Sequence, residues 1–235
     1  MKKTLVTAGL LLLMAQAVSL KAEEGFASMF NGTDLTGWDG VRELWSVKDG
    51  AIVGSTVANP AKENTFLVWT NGQPADFEMR CSFKIKPGSA AGFANSGIQY
   101  RSKVVKPSYW VVAGYQADME AGPNYTGGLY EEKGRGILAK RGEKVLIHAD
   151  GKLEVTGSLG DSAKLEDEIR KGEWNDYVVI ARGNHLQQFI NGKAMIDVID
   201  EQKDKAAFSG VIALQLHAGP PMVVEFKDLR IKELK

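Results

Sequence analysis

Two short stretches carry the groups that bind and process sugars. Asn95-Ser-Gly-Ile-Gln-Tyr-Arg101 and Tyr115-Gln-Ala-Asp-Met-Glu120 both alternate polar and apolar residues, the period of a strand with two unlike faces. In the first, Gln99 and Arg101 share a face and Ile98 and Tyr100 oppose them. In the second, Gln116, Asp118 and Glu120 oppose Tyr115, Ala117 and Met119. An ordinary solvent face favours Lys, Thr and Ser. Here it carries amides and a guanidinium, which orient hydroxyl groups, and carboxylates, which move protons. Later, Val211–His217 sets Gln215 and His217 on one face and Ile212, Leu214 and Leu216 on the other. Tyr109, Trp110 and Tyr130 fall in or near flanking loops, where aromatic rings can stack on a sugar. Gly127–Glu132 reads as a loop bringing two more carboxylates. Each group has a plainer reading. Asp118 and Glu120 can pair with Arg101, and Gln99, Gln116 and Gln215 can form a structural amide ladder. His217 can cap a strand end, and His148 and His185 read as structural.

These faces need a scaffold, and the punctuation supplies one. Asn31-Gly, Asp49-Gly, Asn71-Gly, Asp150-Gly and Asn191-Gly are hairpin dipeptides, separated by runs rich in β-branched and aromatic residues. Ten to twelve such runs predict two stacked antiparallel sheets in one all-β domain over 25–235. The 162–171 stretch is a helical turn or a surface loop. Trp38, Trp45, Trp69 and Trp174 are expected in the core. Pro220 and Pro221 cannot donate ladder hydrogen bonds and belong at a sheet rim.

The chain has 235 residues, 44% hydrophobic and 25% charged, with no formal net charge. That suits one domain with a substantial core and gives no support for nucleic acid as a partner. Residues 1–22 have the basic start, apolar run and small-residue end of a signal peptide. Its cleavage leaves no stable membrane span and a periplasmic or secreted bacterial protein. Cys81 cannot form an internal disulfide and reads as a buried small hydrophobe. No zinc or EF-hand spacing is present, so no cofactor is expected; a structural or site-bound divalent metal, for instance on Asp118, Glu120 and His217, stays open.

Several stretches, in order, carry a resemblance: Met29-Phe-Asn-Gly-Thr-Asp-Leu-Thr-Gly-Trp38, Trp45-Ser-Val-Lys-Asp-Gly50, Asn95–Arg101, Gly172-Glu-Trp-Asn-Asp-Tyr177, Gly183-Asn-His185 and Gly210–Lys235. Together they resemble the 3-keto-disaccharide hydrolase family. The resemblance implies a concanavalin A-like jelly-roll sandwich with a carbohydrate-binding concave sheet. It implies exported proteins acting on glycosides whose sugar carries a ketone at C3, some by elimination and hydration. Glucanases on this fold carry Glu-x-Asp-x-Glu on one strand face. Gln116-Ala-Asp-Met-Glu120 has that spacing with an amide first, and an amide cannot form the glycosyl ester that a retaining mechanism needs. Elimination needs no nucleophile: a base at C2, donors at the C3 oxygen and an acid for the leaving oxygen suffice. Glu120 or Asp118 is the expected base, Arg101 and Gln99 the donors, and His217 the acid. Gln116, Gln215, Tyr130 and Trp110 complete the expected sugar contacts. The substrate is a small carbohydrate whose keto group an upstream sugar 3-dehydrogenase supplies. The alternative is a non-catalytic glycan-binding module using the same amides and aromatics.

Overall fold

Where polar and apolar residues alternate, the chain forms strands, and their apolar faces meet between two sheets. The structure, a computed structural model, describes residues 24–90 and 92–235; the expected signal peptide lies outside them. The front sheet runs β10 (Gly136–Ala139), β9 (Leu129–Glu132), β8 (Val111–Glu120), β7 (Asn95–Lys106), β16 (Val211–Leu216), β5 (Thr65–Trp69) and β2 (Trp38–Asp39). The back sheet runs β12 (Leu153–Ser158), β11 (Glu143–Ile147), β15 (Lys193–Asp200), β14 (His185–Ile190), β13 (Asn175–Arg182), β6 (Phe77–Pro87), β17 (Met222–Glu233), β4 (Ala51–Ser55) and β3 (Trp45–Lys48). A short β1 (Ala27–Ser28) also pairs with β17. All pairs are antiparallel except β11 with β15, whose partners are joined by a long crossover rather than a hairpin. The architecture is a two-sheet jelly-roll β-sandwich.

Ile98, Tyr100, Tyr115, Ala117 and Met119 of the front sheet enter one core with Phe77, Met79, Tyr177 and Val179 of the back sheet. Tyr100 stacks on Tyr115 with ring centres 5.7 Å apart and meets the Phe77 ring edge-on at 6.2 Å. Burial of each large apolar side chain stabilises the sandwich by about 1.5–3 kcal/mol. That is what fixes which face of β7 and β8 remains outside, since a one-residue slip would expose the whole set. Cys81 is buried in this core, and desolvation pushes its thiol up to about 12. It stays protonated and unreactive.

Several elements differ from expectation. Among the described residues seventeen strands form, because pieces as short as Trp38–Asp39 complete the sheets. Leu129–Glu132 is a strand, not a loop, held by pairing with β8 and β10. The 162–171 stretch gives one short helix, α1 (Ser162–Asp167), whose cap Asp161 accepts from the Lys164 N–H. Trp38 and Trp45 are buried. Trp174 instead lies at the surface between Lys84 and Lys227, whose Nζ atoms sit 4.7 and 4.4 Å from its ring centre.

The turn joining β7 to β8 folds back over the outer face of the front sheet. The Phe66 N–H donates to the Trp110 carbonyl at 3.1 Å, and Thr65 Oγ1 donates to the Tyr109 carbonyl at 2.7 Å. Trp110, Val104 and Val112 then pack over Phe66, Val68 and Ala213 in a small apolar cluster apart from the core. This closes one half of the outer face and leaves the other half open. Among the described residues no helix is long and apolar enough to cross a membrane.

Candidate functional site

The open half is a cleft of about 390 Å³ lined by Asn95, Gln116, Asp118, Tyr130, Glu132, Gln215 and His217, with Asn64, Phe93, Tyr125 and Ile137 around them. Strand alternation places most of these side chains. Gln116 and Asp118 are the outward residues of β8, and Tyr130 pairs with Gln116 across β9. Gly97 faces Asp118 from β7. A Cβ at Gly97 would come within 2.4 Å of Gln116 Cγ, so the absent side chain is what lets the Gln116 amide lie across β7.

Asp118 is the pivot. Its Oδ1 accepts from Asn95 Nδ2 at 3.2 Å, Gln116 Nε2 at 3.3 Å and the Met119 N–H at 3.0 Å. Among the described residues nothing donates to Oδ2. Burial raises the Asp118 pKa to about 8, outweighing those three donors; desolvation disfavours the charged form. The group therefore holds its proton at neutral pH and can give it to a bound ligand.

His217 and Glu132 form another part of the cleft. His217 Nδ1 lies in hydrogen-bond contact with the Ala218 carbonyl. A carbonyl only accepts, so Nδ1 carries a proton, and Nε2 is the nitrogen whose lone pair can take another. The ring is braced edge-on by Phe93 at 5.5 Å. Burial raises the Glu132 pKa, opposed in part by Lys133, Asn64, His217 and Gln215. Asn64 ties the two together, since its Oδ1 accepts from the Ala218 N–H at 3.0 Å while its Nδ2 reaches the Glu132 carboxylate at 3.5 Å. Gln215 Nε2 donates to Glu132 at 3.3 Å, but its Oε1 is buried with no partner. A buried acceptor without a donor is costly.

The structure thus brings Asp118, Gln116, Gln215, Tyr130 and His217 together and places four other expected residues elsewhere. Arg101 adopts a left-handed backbone, φ 46°, where β7 breaks register between Tyr100 and Lys103. That turns its side chain off the cleft. The guanidinium bonds Asp76 at 2.9 Å and the carbonyls of Ala75, Gly183 and Ala207, clamping the front sheet to turns of the back sheet. Glu120, at the end of β8, accepts from the Asn124 and Tyr125 N–H groups and shapes the 121–128 loop. Gln99 lies behind Gln116, their amides 2.7 Å apart. Trp110 belongs to the apolar cluster on the closed half. His148 and His185 pair with Glu154 and Asp197 away from the cleft.

Asn64, Phe93, Asn95, Tyr125 and Ile137 join the site without having been singled out from sequence, and Glu132 joins it as one of the two carboxylates expected from Gly127–Glu132. Asn95 and Glu132 were within reach of the alternation: Asn95 is in phase with Gln99, and Glu132 with Tyr130. Asn64, Phe93 and Tyr125 arrive on loops, which have no period to read. Glu131, out of phase with Glu132, turns away to bond Arg135 at 2.8 Å. Among the described residues no group of three or more His, Cys, Asp or Glu could hold a metal ion, and Asp118, Glu120 and His217 do not converge as one.

A family described as the 3-keto-alpha-glucoside-1,2-lyase-like domain matches residues 25–232. Among solved structures, a candidate glycosyl hydrolase from Parabacteroides distasonis is 22% identical with a TM-score of 0.57, over 90% of this chain and 95% of that one. A second candidate glycosyl hydrolase from the same organism is 16% identical with a TM-score of 0.57, over 89% and 99%. The carbohydrate binding module CBM66 from Bacillus subtilis is 14% identical with a TM-score of 0.54, over 86% and 98%. At these identities the structural likenesses establish the fold alone. Among curated proteins none matches. The matched family gives the chain a carbohydrate-related function.

Proposed function

This chain belongs to the 3-keto-alpha-glucoside-1,2-lyase-like family, and from that premise we propose that it is an exported enzyme cleaving 3-keto-glycosides by elimination and hydration. The observation that carries the reading is Asp118: a buried carboxyl that keeps its proton at neutral pH, with Oδ2 unpartnered and its side chain lining the cleft that His217 also lines.

A ketone at C3 acidifies the C2 proton. His217 Nε2 takes that proton, and the C2–H electrons form an enolate on the C3 oxygen. Glu132 lies close enough to His217 to feel its charge, and as a carboxylate it stabilises the imidazolium so formed. The enolate reforms the ketone as C1=C2 closes and the C1–O bond breaks. Asp118 gives its proton to the departing oxygen. Water then adds across C1=C2, hydroxyl to C1 and proton to C2, so the net change is hydrolysis. Asn95 and Gln116 each use one amide proton within the site; the second is free to donate to the sugar, including the C3 oxygen, while the buried Gln215 holds Glu132.

The ketone comes from an upstream sugar 3-dehydrogenase, and residues 1–22 direct the chain to the periplasm or beyond. The test is incubation with a 3-keto-glucoside in D2O, following aglycone release and deuterium at C2. Release with C2 exchange supports the proposal. Binding of unoxidised sugar without turnover of the keto form would make the protein a glycan-binding module.

A further inference from the structure

A smaller cavity of about 250 Å³ adjoins the cleft and shares Asp118, Tyr125, Tyr130 and Ile137 with it. Tyr125 and Ile137 are among the most exposed large hydrophobic side chains of the described residues, at 45% and 46%. Solvent-facing apolar groups gathered at a cavity rather than scattered mark a contact surface. We propose that this cavity is the leaving-group subsite and that it takes a flat aromatic aglycone. The inference rests on the elimination reading above, because it sets the scissile C1–O bond beside Asp118, where the two cavities meet.

Three observations favour an aromatic ring over a second hexose. Tyr125, Tyr130 and Ile137 line the cavity and offer rings and a branched alkyl to a planar partner. Arg141, the cation on this wall, is committed elsewhere: it donates to the carbonyls of Ser162, Thr126 and Pro123 at 3.0, 2.8 and 2.9 Å and lies 3.6 Å from Glu166. Asn124 and Lys140 are exposed, so solvent competes for their polar ends. A hexose there could stack one face on the tyrosines, but its hydroxyls along Ile137 and the committed Arg141 would lack partners, at a cost for each unpaired group. Room is sufficient, since an apolar cavity of about 150 Å³ already admits benzene.

The test compares the affinities of phenyl and methyl glucosides by calorimetry. The unoxidised pair is measured on the wild-type protein, and the 3-keto pair on His217→Ala, which lacks the base at C2 and lies outside the smaller cavity. Phenyl should bind at least tenfold tighter than methyl, in one oxidation state or both. The preference should collapse to within about twofold in Ile137→Asp, which makes an exposed wall position polar, and in Tyr125→Ala, which removes an exposed ring from the wall. A thermal melt verifies that each variant is folded. Equal affinities, no phenyl binding in either state, a preference unchanged in both variants, or a disaccharide binding tighter than the phenyl glucoside would overturn the subsite. None of these readouts requires turnover. Failure to cleave 3-keto-glycosides therefore counts against the elimination reading while leaving the aromatic preference to stand or fall separately.

Discussion

At the scale of single residues, the chemistry divides between a carboxyl that keeps its proton and an imidazole that can take one. Asp118→Asn tests the first role cleanly, because Asn retains the Oδ1 that accepts all three hydrogen bonds and loses only the acid. Release of aglycones that are poor leaving groups should slow by about 10²–10⁴-fold, the usual worth of a positioned general acid. Activated aryl glycosides, which leave without a proton, should slow far less. C2 exchange with D2O should survive in Asp118→Asn and vanish in His217→Ala; exchange persisting in His217→Ala would move the base to Glu132. The alternation in the sequence singles out both Asp118 and Glu120, yet only Asp118 lines the cleft. The reason is local. Glu120 ends β8, and the following loop folds back to offer its carboxylate two backbone N–H groups. We expect Glu120→Gln, which keeps an acceptor for them, to exchange C2 near the wild-type rate.

At the scale of elements, the breaks in strand geometry decide what the cleft contains. A two-residue period puts Arg101 in phase with Gln99, and a regular strand would carry it onto the same face. The register break and positive φ at Arg101 are invisible in the residue types, since nothing in Tyr100-Arg101-Ser102 calls for a left-handed turn. Opposite this break, Gly210 has φ 152°, and a Cβ there would lie 2.4 Å from the Ser102 carbonyl oxygen, so the two chains approach closely only because Gly210 has no side chain. Arg101 thus serves the fold. Arg101→Ala would leave the carbonyls of Ala75, Gly183 and Ala207 short of a donor. Ala75 and Gly183 are exposed and Ala207 is half-buried, so water replaces the lost donor in part, and a loss of about 1–3 kcal/mol in urea denaturation is expected, with ligand affinity of the folded fraction unchanged. Weakened affinity with intact stability would return Arg101 to the site. Gly97→Ala should do the reverse. The added methyl displaces the Gln116 side chain from its place across β7, and calorimetry should find sugar affinity reduced about tenfold or more with a modest change in stability.

For the whole molecule, the hairpin dipeptides and short β-branched runs made the sandwich legible, and the one-domain reading follows the same pattern. What they could not convey is non-local: the parallel pairing of β11 with β15, and the β7–β8 turn that closes half the front sheet with Trp110. Both depend on residues far apart in sequence. The open half has its own energetic signature. An unfolded Asp loses its proton near its ordinary value of 3.8, whereas Asp118 in the fold keeps it until about pH 8. Between those values the native state binds more protons than the unfolded state, so stability falls as pH rises. Below pH 4 and above pH 8 this group contributes no slope. The sign is opposite to that of a salt-bridged carboxylate, and Glu132, also raised by burial, acts in the same direction. Other groups titrate in this range, so the informative quantity is the stability of Asp118→Asn minus that of the wild type. The difference should climb from pH 4 to pH 8 by an amount on the order of a few kcal/mol and then level off, leaving the less active variant the more stable one in alkali. Urea denaturation of both proteins from pH 4 to pH 9 measures it. Parallel curves would mean that Asp118 ionises in the fold as it does in the unfolded chain, and the proton assigned to the leaving group would then have to come from elsewhere.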